Sequence, residues 1–100
     1  MRVSFDTTFT DCDETELGKL APELSGIYVL AVIKPDSPEY VYVGHGKIVA
    51  GIREALKKPC VYNSYPIISI KFNYIRIKKN RPQMLKFVAR LKDGLKPRCQ

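Results

Sequence analysis

The sequence predicts an α+β fold: one small domain over residues 1–100 in which a three-stranded antiparallel sheet is flanked by helices, with a short helix ahead of the sheet. Three observations lead there. Two runs rich in β-branched and aromatic residues, Gly26–Ile33 and Glu39–Gly44, flank a proline-marked turn. A third such run, Ile70–Ile77, stands alone further on. Between and after these runs, apolar residues recur at helical spacing. The resulting order is helix, strand, strand, helix, strand, helix, without repeat or linker. Such elements bury their apolar sides by packing sheet against helix.

Each element has its local reason. Asp13-Glu14-Thr15-Glu16 is a helix start, since the Asp13 carboxylate can accept from a free backbone N–H while Glu16 reaches back. That helix runs to about Leu20, and Pro22 closes it. Lys34-Pro35-Asp36-Ser37-Pro38 cannot continue a central strand, because its prolines offer no N–H, so it forms the hairpin loop. His45-Gly46-Lys47 is expected to interrupt the second strand. Ile48, Val49, Ile52, Ala55 and Leu56 then fall on one side of a helix that Pro59 stops, and Cys60–Pro66 reads as irregular. Asn80-Arg81-Pro82-Gln83 caps the last helix, with Asn80 and Gln83 as reciprocal partners and Pro82 tolerated in the first turn. Met84, Val88, Leu91 and Leu95 share its apolar side, and Gly94 and Pro97 mark its end.

Composition narrows the function classes. With 45% hydrophobic residues, a 100-residue chain can bury one modest core. Its longest apolar run, Ile27–Ile33, falls far short of the roughly 20 residues of a membrane span, so no membrane partner is expected. The opening Met1-Arg2-Val3-Ser4-Phe5-Asp6 lacks the apolar stretch of a secretory signal, which points to a cytoplasmic location. Cys12, Cys60 and Cys99 are odd in number and far apart, and there is one histidine; free thiols are expected in place of a disulfide framework or zinc site. The net charge of +7 is unevenly placed: −4 over residues 1–51 and +11 over residues 52–100. A half so basic favours a polyanion, because each cation that neutralises a phosphate releases condensed counterions. Nucleic acid, and DNA first, is the expected partner.

The hairpin carries Gly26-Ile27-Tyr28 on one strand and Tyr42-Val43-Gly44 on the other, followed by a helix with Arg53 nine residues beyond Gly44. In these features and in its order of elements the chain resembles the GIY-YIG nuclease family over residues 26–95, with residues 1–25 as an N-terminal extension. The resemblance implies an endonuclease fold in which tyrosines activate water, an arginine contacts the phosphate, and a glutamate of the last helix holds one divalent cation. Tyr28 would then be the general base. For that its pKa of about 10 must fall by about 3, roughly 4 kcal/mol of preferential phenolate stabilisation. Tyr42 would share or orient the proton, although Tyr28 and Tyr42 equally suit a cross-strand aromatic pair. Arg53 would make bidentate phosphate contact. His45, between two glycines, is a candidate proton shuttle or phosphate contact.

One part of that pattern is missing. Where the family carries its glutamate this chain reads Arg81-Pro82-Gln83-Met84-Leu85-Lys86, and no acid occurs from Ala55 through Lys92. A neutral amide at Gln83 holds Mg²⁺ poorly, and Glu54 points about 100° round its helix from Arg53. Mg²⁺ or Mn²⁺ is therefore expected only if the chain is catalytic. Phosphate binding needs no metal, and Lys57, Lys58, Lys71, Arg76, Lys78, Lys79, Arg81, Lys86 and Arg90 lie on elements that would surround a phosphate groove in the family's fold. Tyr62, Tyr65 and Tyr74 are stacking candidates. The leading expectation is a nucleic-acid-binding protein with a degenerate metal site. An active endonuclease with an altered site, and a protein-interaction or inhibitor module reusing the fold, are the alternatives.

Overall fold

A computed structural model describes residues 9–77 and 81–100. The sheet has four strands, not three: β1 (Thr10–Asp11), β2 (Ser25–Ile33), β3 (Pro38–Lys47) and β4 (Ile70–Arg76), in the spatial order β1-β4-β2-β3, all antiparallel. Around it stand α1 (Glu14–Leu17), α2 (Ile48–Leu56), α3 (Pro59–Ser64) and α4 (Arg81–Leu95), with a 3-10 turn at Ile67–Ser69. The added strand β1 is two residues long, too short for an alternating pattern. Its pairing with Phe72 and Lys71, and the Lys71–Asp11 ion pair, hold it in place.

Local chemistry explains most boundaries. Asp13 caps α1 as expected, accepting from the Glu16 N–H at 2.8 Å, although α1 ends at Leu17, short of Leu20. The expected interruption at His45-Gly46-Lys47 does not occur. β3 keeps its pairing with β2 through Ser25↔Lys47, and a register shift between Leu30 and Ala31 accommodates Val41 as an extra residue. Gly46 sits there at φ +110, a conformation open to glycine. The stretch expected to be irregular begins with α3, because Pro59, which cannot continue α2, occupies the first turn of a new helix where its missing N–H costs nothing. The expected Asn80 cap of α4 lies outside the described residues.

The sheet is covered on both sides. Residues paired in register share a side, and successive residues alternate. Tyr28, Leu30, Ile70, Phe72 and Tyr74 face α2 together with Ile48, Ile52, Ala55 and Val61, whereas Ile27, Val29 and Val43 face the Val88 and Leu91 side of α4. Fully burying each of these larger apolar side chains contributes about 1.5–3 kcal/mol. Two buried layers around a central sheet, not one, therefore hold the domain together. No described helix is long and apolar enough to cross a membrane.

The expectation of three free thiols is overturned. Cys60 in α3 and Cys99 after α4 form a disulfide, with Cα atoms 5.6 Å apart, within the ordinary range for such a bridge. The segment it anchors lies along the outer edge of β3. The Arg98 and Cys99 N–H groups donate to the Tyr40 and Val41 carbonyls at 3.0 and 2.8 Å, and the Val43 N–H donates to Gln100 Oε1 at 2.9 Å. Cys12 is the free cysteine, buried in the core. Burial first, and the nearby Asp11 and Asp13 charges next, push its thiol up to about 12.

Candidate functional site

Both glycines of the paired tripeptides have a steric reason. A Cβ at Gly26 would lie 1.9 Å from the Ile75 carbonyl oxygen, so β4 can approach β2 here only past a residue without a side chain. Gly44 stands opposite Tyr28 in the register, and a Cβ there would lie 2.3 Å from the phenol carbon Cζ and from Oη. Gly51 of α2 closes the same slot, since a Cβ at that position would lie 2.7 Å from Tyr28 Oη. The Tyr28 ring thus fills a channel between strand and helix, and only 5% of the residue is exposed.

Tyr42, two register pairs further along β3 and so on the same side of the sheet, meets Tyr28 edge-on, with ring centroids 6.2 Å apart and planes at 70°. Lys58, at the junction of α2 and α3, places Nζ 5.5 Å from the centre of the Tyr42 ring. A cation over an aromatic face contributes about 0.5–1 kcal/mol at an exposed site. These three side chains form one corner. Its electrostatics run against base catalysis at Tyr28: burial first, then Tyr42, push the phenol up to about 12. The Tyr28 oxygen therefore carries its proton at neutral pH.

Arg53 and His45 lie elsewhere. Arg53 sits about 200° round α2 from Gly51, on the other flank of the helix from the phenol. There it is held by α1, its Nε 3.1 Å from Glu14 Oε1 and its Nη2 2.7 Å from Glu14 Oε2. Leu17, Leu20, Pro22 and Val49 line the cleft beside it. His45 pairs with Ile27, so it is on the α4 side of the sheet, opposite to Tyr28. The fold brings Tyr28 and Tyr42 together and separates Arg53 and His45 from them.

The basic residues divide in the same way. Lys57 and Lys58 are exposed at the α2–α3 corner, with Lys57 3.7 Å from Glu54. Lys71 is paired with Asp11, and Arg76 lies beside Glu23, Leu24 and Ser25. On the far side of the sheet, Gln83, Lys86, Phe87 and Arg90 occupy one flank of α4 and line a shallow hollow. Phe87 is 38% exposed although aromatic. Lys78 and Lys79, and the side chain of Arg81, lie outside what the structure describes. Of the stacking candidates, Tyr62 is exposed, Tyr74 is buried against Phe72, and Tyr65 is half-buried, donating to Glu39 with Arg98 above its ring.

A divalent cation does not fit the place where the resemblance would put one. Among the described residues, Gln83 shares its hollow with Lys86 and Arg90, whose charges repel a metal ion, and with Phe87; none of them offers a carboxylate. Gly51 and Glu14 are the residues that sequence reasoning passes over. A lone glycine in the interior of α2 is the signal available for the first. The second is 39 residues from its partner and gave none. A comparison of the chain with protein-family models, with curated proteins and with solved structures finds no significant match.

Proposed function

We propose that this chain is a nucleic-acid-binding domain built on a GIY-YIG-like fold, and that it binds without using Tyr28 to cleave. The observation that carries the reading is the flank of α4: Lys86 and Arg90, with Gln83 and the exposed Phe87, all opening onto one hollow. Lys86 and Arg90 are four residues apart on the helix, about 6 Å along its axis, so both can meet one phosphate strand. The Arg90 fork can take a phosphate bidentately, Lys86 acts as a point charge, and Phe87 offers a ring to a base or sugar. DNA as the polymer rests on the resemblance alone. The family assignment itself draws support from the sterically required Gly26 and Gly44 and from the Tyr28–Tyr42 pair.

Cleavage through the family's usual chemistry is disfavoured by three observations together. The Tyr28 phenol is held protonated, Arg53 is engaged by Glu14, and the surroundings of Gln83 are cationic. A cytoplasmic setting fits the chain with its bridge open, since stable disulfides are rare in reducing compartments; with the bridge closed, an oxidising compartment fits better. Duplex binding followed by anisotropy, alongside plasmid cleavage with Mg²⁺ or Mn²⁺, tests the reading. Salt-sensitive binding with no cleavage above a Tyr28→Phe control is expected. Cleavage that Tyr28→Phe abolishes would establish the endonuclease instead.

A further inference from the structure

We propose that the Cys60–Cys99 bridge is a redox latch: it holds residues 98–100 over the outer edge of β3, and its reduction uncovers that edge while the rest of the domain stays folded.

Apart from the bridge the cover is a handful of contacts: the Arg98 and Cys99 N–H groups on the Tyr40 and Val41 carbonyls, the Gln100 amide oxygen on the Val43 N–H, the Arg98 guanidinium 5.7 Å from the Tyr65 ring centre, and the small Cys99 side chain packed into the α2-side core. Each of these backbone groups lies on a strand edge, where water competes for it. The segment leaves α4 through Lys96, a side-chain-bearing residue at φ +50, and Pro97, which has no N–H to anchor the turn. The bridge fixes this hinge by closing a loop between residues 39 apart, and removing it restores that loop's freedom.

The chemistry is accessible from one side. Cys60 is exposed on α3, whereas Cys99 is 9% exposed. A thiolate of a small dithiol attacks Cys60 Sγ and expels Cys99 as thiolate, which takes a proton. The reagent's second thiol then attacks the mixed disulfide and releases Cys60. Two electrons pass to the protein bridge, and the dithiol leaves as its cyclic disulfide. The opened edge presents the Tyr40 and Val41 carbonyls and the Val43 N–H, an array of the kind that accepts an added strand. Natural sheets cover such edges, and here the cover is tied down by the bond that a reductant breaks.

Cys12 supplies an internal control, because it is buried in the core and labels only if the domain opens. The test is native-state maleimide labelling of the full chain before and after dithiothreitol, mapped by mass spectrometry, with amide exchange followed in parallel. After reduction Cys60 and Cys99 are expected to label while Cys12 stays protected. Exchange at Val43 should quicken by at least about tenfold, and the Leu30 amide of the central strand, which exchanges only through global opening, should stay far better protected than Val43. A Cys99→Ser variant should show the fast Val43 exchange without reductant. The proposal is overturned if Cys99 stays unlabelled and Val43 protected after reduction, or if Cys12 labels with the other two.

Discussion

Gly44 lies across the β2–β3 hairpin from Tyr28 at a point where no side chain can stand, because a Cβ would fall 2.3 Å from the phenol oxygen. Tyrosine and glycine are therefore one packing unit, and that unit explains the paired tripeptides before any chemistry is asked of them. Gly44→Ala should destabilise the domain by about 2–3 kcal/mol, as overpacking of a filled core does. Urea unfolding measures it. Combined with Tyr28→Ala, which removes the obstructing ring, the same substitution should cost less, with a coupling of at least about 1 kcal/mol in the double-mutant cycle.

The raised Tyr28 pKa gives a pH prediction whose direction follows from the burial. The folded-state value of about 12 exceeds the unfolded value of about 10, so folding favours the protonated phenol. This contribution is fully present below about pH 10 and is lost as pH rises towards 12. Burial also raises Tyr40 and Tyr65, so a spectrophotometric phenolate titration should find a component near 12 that is lost in Tyr28→Phe while the other late phenols remain. Alkaline unfolding should begin as the Tyr28 phenol ionises.

Arg53 and Glu14 are both exposed, and pairs of that kind contribute little to folding. Arg53→Gln and Glu14→Gln should each leave the thermal unfolding midpoint near that of the wild type. Because both lie on the opposite side of the sheet from α4, they act on duplex DNA only through net charge: Glu14→Gln should strengthen and Arg53→Gln weaken low-salt binding by small, similar factors.

Much of this architecture is legible in the sequence, and the gaps have physical causes. The hairpin, α2 and α4 each follow from periodicity joined to a breaker, Pro35 in the loop, Pro59 after α2, Gly94 and Pro97 around the end of α4, and β4 follows from its β-branched run; Pro38, expected in the loop, instead opens β3 as its first residue. β1 has no pattern of its own and exists through its partner strand. Pro59 both stops one helix and starts the next, and only the stop is evident from sequence. The Tyr28–Tyr42 pair is readable because hairpin register places it. The Arg53–Glu14 and Cys60–Cys99 contacts join residues 39 positions apart, and neither spacing nor composition encodes them.

Reduction should also lower global stability. In the loop-entropy account, a bridge spanning 39 residues stabilises by about 4 kcal/mol, less any strain it carries in the folded state. Equilibrium urea unfolding with and without dithiothreitol should show a lower midpoint in the reduced protein, which remains folded in the absence of urea.

Phosphate contact at Lys86 and Arg90 on the proposed α4 flank is read out by the salt dependence of duplex DNA binding. For wild type, the logarithm of the association constant should fall linearly with the logarithm of salt concentration. In the Lys86→Gln, Arg90→Gln double variant the slope should be shallower by about 1.8, two phosphate contacts at about 0.9 each. An unchanged slope in the double variant, or wild-type binding indifferent to salt, would contradict that contact.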